Sequence, residues 1–327
     1  MKFPLGLALF IFSLISSFKT FSSDKALRFV VLSDIHIYTS GKIPAKAKAV
    51  ITHVKNLSPD LVFITGDHTN GNRGDNVQAS TIQKWYQSLD TLLSPLVEAK
   101  IPIFPTVGNH DYYEIPHKIA YQHWAKNIIS RSFQLLKIAQ PENYLKFAFT
   151  YKNTEFMVLR LWKQSFGQDQ IDWLKNYSTL NAKKDFRFGF GHVPLKSTMG
   201  RTSKHFYNQA SNLFKDIRLD GYFCGHEHLH WEEVNPKTNS FIQTIVGTAS
   251  GTYNFPIKSS IASTYCDNST CEMPTNKKHF RIKRKTNGAA EQINKQHWIL
   301  VEINDKQLKK TSYSLDENSN PINFYID

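Results

Sequence analysis

Short apolar runs alternate with amphipathic stretches along this chain, and several of the apolar runs stop abruptly at polar residues. Residues 28–32 (Arg-Phe-Val-Val-Leu) form a β-rich run that stops at Ser33-Asp34. The spacing then predicts a helix over 44–57, with Pro44 in a first turn, where an N–H would lack an intrahelical partner anyway. A second strand, 61–65, stops at Gly66-Asp67, and a helix is predicted over 80–93. A third strand, 101–107, carries Pro102 and Pro105 and stops at Gly108-Asn109-His110. Residues 117–130 have helical spacing, 144–150 and 156–162 alternate like paired strands, and 169–177 is again helical. Strand 186–190 leads into Gly191-His192, and a further helical stretch leads to strand 221–224, which stops at Gly225-His226. Residues 241–246 and the tail 297–324 are strand-like.

This order predicts an α/β protein. In such sheets ligands bind at the carboxyl ends of strands, where the loops present their side chains together. Five strands ending in Asp, Asn or His therefore predict one shared site.

Composition narrows the class. Of 327 residues 41% are hydrophobic and 20% charged, which supplies the apolar surface that a disordered polyelectrolyte lacks. Three Cys exclude a disulfide-built scaffold. Cys224 lies in an apolar run and reads as a buried small hydrophobe, whereas Cys266 and Cys271 bracket a polar loop that a local bridge could close. Forty Lys and Arg against 27 Asp and Glu leave a formal charge of +13, which suits an anionic ligand, surface or substrate without choosing among them.

At the amino end, Lys2 precedes an apolar stretch from Phe3 to Ile15 and then Ser16-Ser17. That arrangement predicts a signal peptide over 1–22, cut after Ser22, and a secreted or periplasmic protein over 23–327; an uncleaved anchor is the alternative. The apolar core is shorter than the roughly 20 residues that span a bilayer.

Singly, each polar cluster has an ordinary reading as turn or cap chemistry. Asp34 and His36, one residue apart, would share a side of an extended backbone. Together, Asp34-x-His36, Gly66-Asp67, Gly108-Asn109-His110-Asp111, Gly191-His192 and Gly225-His226-x-His228 occur in order, each after an apolar strand. This constellation resembles the calcineurin-like metallophosphoesterase superfamily over roughly residues 28–250. Its wording is most similar to the purple and tartrate-resistant acid phosphatase branch.

The resemblance implies a four-layer α/β/β/α sandwich, formed by a single domain over 23–327. It also implies a dinuclear metal centre of Fe, Mn or Zn, borderline ions that accept mixed nitrogen and oxygen ligands. Asp34, His36 and His228 would hold one metal, Asn109, His192 and His226 the other, and Asp67 would bridge them. Such a pair stands about 3.5–4 Å apart, and a hydroxide shared by the ions is the expected nucleophile. His110 matches the non-ligand histidine that protonates the leaving alkoxide as general acid. The implied substrate is a small phosphate ester, with a phosphomonoesterase first. A phosphodiesterase on nucleotides or lipid headgroups, or a catalytically silent metal-binding scaffold, are the alternatives; no obligate protein partner is evident.

Some positions stay open or depart from the pattern. Asn70 stands where purple acid phosphatases have an iron-binding Tyr, so no tyrosinate colour is expected and a ferric ion is not assumed among the two divalent or trivalent metals. His68 faces substrate or caps its loop, and Asp111 orients a histidine or caps its turn. Tyr112 and Tyr113 line the cleft or pack the loop, while His230, at i+2 from His228, is expected at a loop surface, with an extension of the ligand edge as the alternative. Residues 253–296 read as a solvated basic insertion ahead of carboxyl-terminal strands over 297–326. The run 277–285 within it is a candidate contact for an anionic surface, since six of its residues are Lys or Arg.

Overall fold

The structure is a computed structural model describing residues 26–72, 77–197, 202–234, 241–250, 280–283, 289–292 and 296–324. The expected signal peptide, the Cys266/Cys271 loop and most of the basic run 277–285 lie outside these residues.

The apolar runs fold into two sheets. The first has six strands in the order β14-β13-β12-β1-β2-β3. Three of them, β1 (Leu27–Leu32), β2 (Leu61–Ile64) and β3 (Ile103–Pro105), run parallel. Beside β1 lies the antiparallel β12 (His297–Asn304), followed outward by β13 (Gln307–Leu315) and β14 (Pro321–Phe324). The second sheet has eight strands in the order β10-β11-β8-β9-β7-β6-β5-β4. Its parallel centre is β5 (Thr154–Val158), β6 (Phe186–Phe190), β7 (Gly221–Cys224) and β9 (Phe241–Val246). Antiparallel neighbours are β4 (Phe147–Tyr151), β8 (His230–Val234) and the hairpin of β10 (Phe280–Lys283) and β11 (Ala289–Gln292).

Phenylalanines from the two sheets meet face to face. Phe63 on β2 stacks on Phe190 of β6 with centroids 3.8 Å apart, and Phe29 on β1 meets Phe156 and Phe223 edge-on at 5.5 and 5.9 Å. Helices α1 (Ala45–Asn56), α2 (Ala79–Glu98) and α3 (Ile115–Leu136) extend this core on the six-stranded side. Helices α4 (Gln168–Leu180) and α5 (Lys204–Asp216) close a second core over the other sheet, with Leu174, Phe206, Leu213 and Phe214 packed on Tyr222, Cys224 and Ile245. The period-2 alternation of a strand sorts the residues: on β7, Phe223 faces the first sheet while Tyr222 and Cys224 face the helices. The architecture is thus the four-layer α/β/β/α sandwich, and Cys224 is buried as expected.

Some boundaries differ from the sequence pattern, each for a physical reason. Helix α2 continues to Glu98 past Pro95. The proline removes the N–H that would bond Thr91 O, and Ser94 Oγ donates to that carbonyl instead, at 3.1 Å. Strand β5 starts at Thr154 and ends at Val158, because beyond the last ladder bond, Leu159 N to Phe190 O, the chain turns on itself, with Leu161 N donating to Leu159 O at 2.9 Å. Strand β8, which the sequence reading lacked, begins at His230, so that residue is buried in a sheet rather than lying at a loop surface. Within the expected solvated insertion, β10 and β11 add a hairpin to the edge beyond β8.

Candidate functional site

Parallel strands from both sheets end at one edge, so their loops converge there. Close approach is built in by glycine. A Cβ on Gly225 would sit 1.8 Å from Ser33 Oγ and 2.3 Å from Asp34 Oδ2, and a Cβ on Gly108 would sit 2.1 Å from Asp67 N. Neither position admits a side chain.

Asp34 and His36 are not on extended backbone, as the i, i+2 spacing suggested. Both have φ of 51°, and Asp67, His226 and His228 share this left-handed region at 53, 73 and 52°. Non-glycine residues enter it rarely, at a cost that surrounding structure must impose. The imposing contacts are visible. Asp34 N donates to Gly66 O at 3.1 Å and His36 N to Asp67 O at 3.0 Å, while His226 N donates to Asp34 Oδ2 at 3.0 Å. Thr248 Oγ1 and Ser250 Oγ donate to Asp34 O at 2.9 and 3.3 Å. These two residues follow β9 just as the other clusters follow their strands, but Ser and Thr after a strand carry too little signal to be singled out.

The side chains form two groups that share Asp67. In the first, Asp34, His36, Asp67 and His228 each offer an atom, all within 4.8 Å of one another. Asp34 Oδ1 lies 3.0 Å from His228 Nε2, and the His36 and His228 Nε2 atoms are 3.1 Å apart. In the second group Asp67, His192 and His226 converge. His192 Nε2 is 3.2 Å from Asp67 Oδ2, 3.2 Å from His226 Nδ1 and 2.9 Å from Asn109 Oδ1. All seven residues that the sequence pattern singled out as ligands are therefore brought together.

The donor set fits cations. His192 Nδ1 faces Thr65 O at 2.8 Å and donates to it, so in the neutral ring Nε2 presents a lone pair to the acceptors Asn109 Oδ1 and Asp67 Oδ2. Acceptors facing acceptors in a buried site need a proton or a metal between them. The titration shifts express the same demand. Burial opposes the charge on His192, yet the Asp67 carboxylate lifts it to about 9. Burial and then the charge on His192 push His226 down to about 4. Burial would raise Asp34 and Asp67, but the surrounding imidazoles, His228 for Asp34 and His192 for Asp67, hold both below the usual carboxylate range. Burial lowers His36 in spite of Asp34 beside it.

His110 overhangs the shared carboxylate. Its backbone N donates to Asp67 Oδ1 at 2.8 Å, its Nε2 stands 3.8 Å from Asp67 Oδ2, and its side chain keeps 30% exposure. Nδ1 lies 2.5 Å from the main-chain oxygen of Asn70, which fixes Nδ1–H as the donor and turns Nε2 to the open side. The departure at Asn70 is thus filled by its own carbonyl.

His68 does not enter the site. It is fully buried behind it, with Nδ1 2.8 Å from Asp111 Oδ2 and its ring against Trp124, so neither substrate contact nor simple loop capping describes it. Asp111 both holds this histidine and caps its loop, accepting from Gly108 N at 3.1 Å. Tyr113 sits 4.9 Å from the His110 ring, and Tyr112 packs on Trp162.

The family model for calcineurin-like phosphoesterases matches residues 27–230. The chain belongs to this family. Curated relatives include a serine/threonine-protein phosphatase, UIS2, of Plasmodium berghei, 27% identical over 39% of this chain and 12% of that protein. A probable cyclic nucleotide phosphodiesterase of Moraxella catarrhalis is 24% identical over 63% of this chain and 73% of its own length. Tartrate-resistant acid phosphatase type 5 of Sus scrofa is 25% identical over 62% and 64%. The chain therefore spans a small part of the first relative and just under two thirds of the third. Among solved structures, the purple acid phosphatase PPD1 of yellow lupin superposes with a TM-score of 0.50 at 13% identity, over 90% of this chain and 55% of that one. That likeness supports the family's fold.

Proposed function

We propose that this chain is an exported, metal-dependent phosphoester hydrolase, acting first on small phosphate monoesters. The observation that carries the proposal is the double convergence on Asp67: two groups of buried nitrogen and oxygen atoms share one carboxylate, with His36 and His228 Nε2 3.1 Å apart in the first and His192 Nε2 2.9 Å from Asn109 Oδ1 in the second. Asp34, His36 and His228 would hold one metal, Asn109, His192 and His226 the second, and Asp67 both. When bound, such a pair supplies Lewis acidity toward the phosphoryl oxygens and activates the attacking water.

The chain's own groups do the rest. Thr65 O fixes the tautomer and orientation of the His192 ring by accepting Nδ1–H, and Asp34 Oδ2 anchors the His226 backbone by accepting its N–H. Asn70 O holds His110 so that Nε2, protonated, can deliver its proton to the departing alkoxide. His110 thereby acts as general acid.

A diesterase reading is supported by the Moraxella relative named a probable cyclic nucleotide phosphodiesterase. A silent scaffold gains no support from a complete ligand set with His110 retained above it. Export rests on the apolar stretch after Lys2. Amino-terminal sequencing of the mature protein checks it, with a start at Ser23 expected. Contact of the basic run 277–285 with an anionic surface is part of the proposal, and a sedimentation assay with anionic vesicles tests it.

The deciding experiment pairs metal analysis with turnover of chromogenic mono- and diesters, for wild type, Asp67→Asn and His110→Ala. Two metals per chain and monoester turnover are expected. Asp67→Asn should lose metal, while His110→Ala should retain metal and lose about 10²–10⁴-fold in rate. Two bound metals with neither ester hydrolysed would end the enzyme reading.

A further inference from the structure

Two loops cross the edge of the site from opposite sheets and meet through their aromatic side chains. Tyr112 follows Asn109 in a tight turn, its N donating to Asn109 O at 3.3 Å. Trp162 follows Leu161, whose carbonyl accepts both His192 N and Val193 N at 3.0 and 3.1 Å. The rings of Tyr112 and Trp162 lie 5.5 Å apart. They form an arch whose two feet, Asn109 and His192, have side chains 2.9 Å apart in the site. Both rings are half-buried. Each also carries an ammonium group: Lys118 Nζ stands 5.5 Å from the Tyr112 centroid and Lys163 Nζ 5.2 Å from that of Trp162.

Both rings rest on the core, and Gln122 Nε2 donates to Tyr112 Oη at 3.1 Å, but this packing explains the rings and not the cations beside them. A loop cover needs apolar area, but it does not need two cations on the same two rings, which a solvent-facing aromatic pair attracts at modest gain. An arch that is aromatic and cationic at once, standing directly outside a site for phosphate, matches a ligand that is flat, π-rich and anionic.

We propose that the Tyr112–Trp162 arch is a specificity subsite for the leaving group of the substrate, and that the leaving group is a nucleoside. A nucleoside holds its base one sugar away from the phosphorus. Tyr112 lies three residues past Asn109, and Trp162 one past the Leu161 whose carbonyl holds His192 N, so both rings stand on the loops outside these ligands. That reach suits a base one sugar away better than an aryl ester, whose ring is attached to the ester oxygen itself. The base stacks on the arch, and Lys118 and Lys163 favour the anionic ligand as a whole. This assignment rests on the phosphoester-hydrolase reading of the same site.

The test compares adenosine monophosphate with ribose phosphate, which differ by the base alone, as ligands and substrates of the metal-replete protein. Wild type is expected to favour adenosine monophosphate by about tenfold in kcat/KM and in Kd by calorimetry, the lower range for stacking a base on an aromatic side chain. Trp162→Ala and Tyr112→Ala should each cut that ratio severalfold, whereas Trp162→Phe, which keeps a ring, should retain it. Equal treatment of the two ligands by wild type would overturn the subsite, as would variants that lose both in proportion. If neither ester turns over, the hydrolase reading fails, and the binding ratio still decides the subsite.

Discussion

Asp111 and His68 meet at 2.8 Å in the fully buried layer behind the site, and through this pair one carboxylate ties two loops together. Besides His68 Nδ1, Asp111 accepts from the backbone N–H groups of His68, Thr69 and Gly108. Those residues flank Asp67 and Asn109, so the position of two proposed ligands depends on a side chain that touches neither.

Replacing Asp111 by Ala should leave buried donors without acceptors and cost about 3 kcal/mol of unfolding free energy. Asp111→Asn, which keeps the oxygen acceptor and the shape, should cost less yet still weaken metal retention. Urea titration and metal analysis of both variants check this; full metal content at wild-type affinity in Asp111→Ala would refute the tying role.

Gly225→Ala is expected to destabilise by about 2 kcal/mol and to reduce metal content, because the new methyl overlaps Ser33 Oγ and Asp34 Oδ2. Gly41→Ala is the useful contrast. It has a positive φ of 80° but no clash, since a Cβ there would meet Ser88 Oγ at an ordinary 3.7 Å, so it should cost stability without touching metal content.

His53, away from the site, packs against Trp298 and Tyr313 at 5.1 and 4.9 Å, and burial lowers it from its ordinary 6.5. The unfolded chain takes up a proton near that value while the native state resists it. Its contribution is therefore complete at neutral pH and is lost as pH falls below about 6.5. The midpoint of urea unfolding should drop over this range, and His53→Gln should make the drop shallower. Identical slopes in the two proteins would assign the loss elsewhere.

Loaded with ferric iron, the protein should show no intense visible tyrosinate band, because Asn70 occupies the position of the purple enzymes' tyrosine. A strong band in the visible spectrum would show that another tyrosine, Tyr113 beside His110 first among them, reaches the metal.

The fold and the seven converging residues were legible because each residue sits in a short polar word at the end of an apolar strand, and both features are local. What escaped is relational. His68 adjoins Asp67 in sequence, but the left-handed turn at Asp67 sends its side chain to the opposite side of the loop, into Trp124. His230 reads as one more polar residue in a histidine-rich stretch, and pairing with Val246 on β9 buries it. The support of Asp34 by Thr248 and Ser250 joins residues more than two hundred positions apart, which no spacing rule reaches.

The left-handed backbone at Asp34, His36, Asp67, His226 and His228 has a further consequence for heat resistance. At each of these positions glycine is the conformationally comfortable residue, at a gain of about 1 kcal/mol in the native backbone, offset by the freedom it adds to the unfolded chain. Under the proposed function, the side chains there would be kept for the metals they bind, Asp34 and Asp67 also holding the His226 and His110 backbones. Losing the metals should therefore expose a protein working against its own backbone, and His228→Gly, inert as an enzyme, could outlast the metal-stripped wild type on heating.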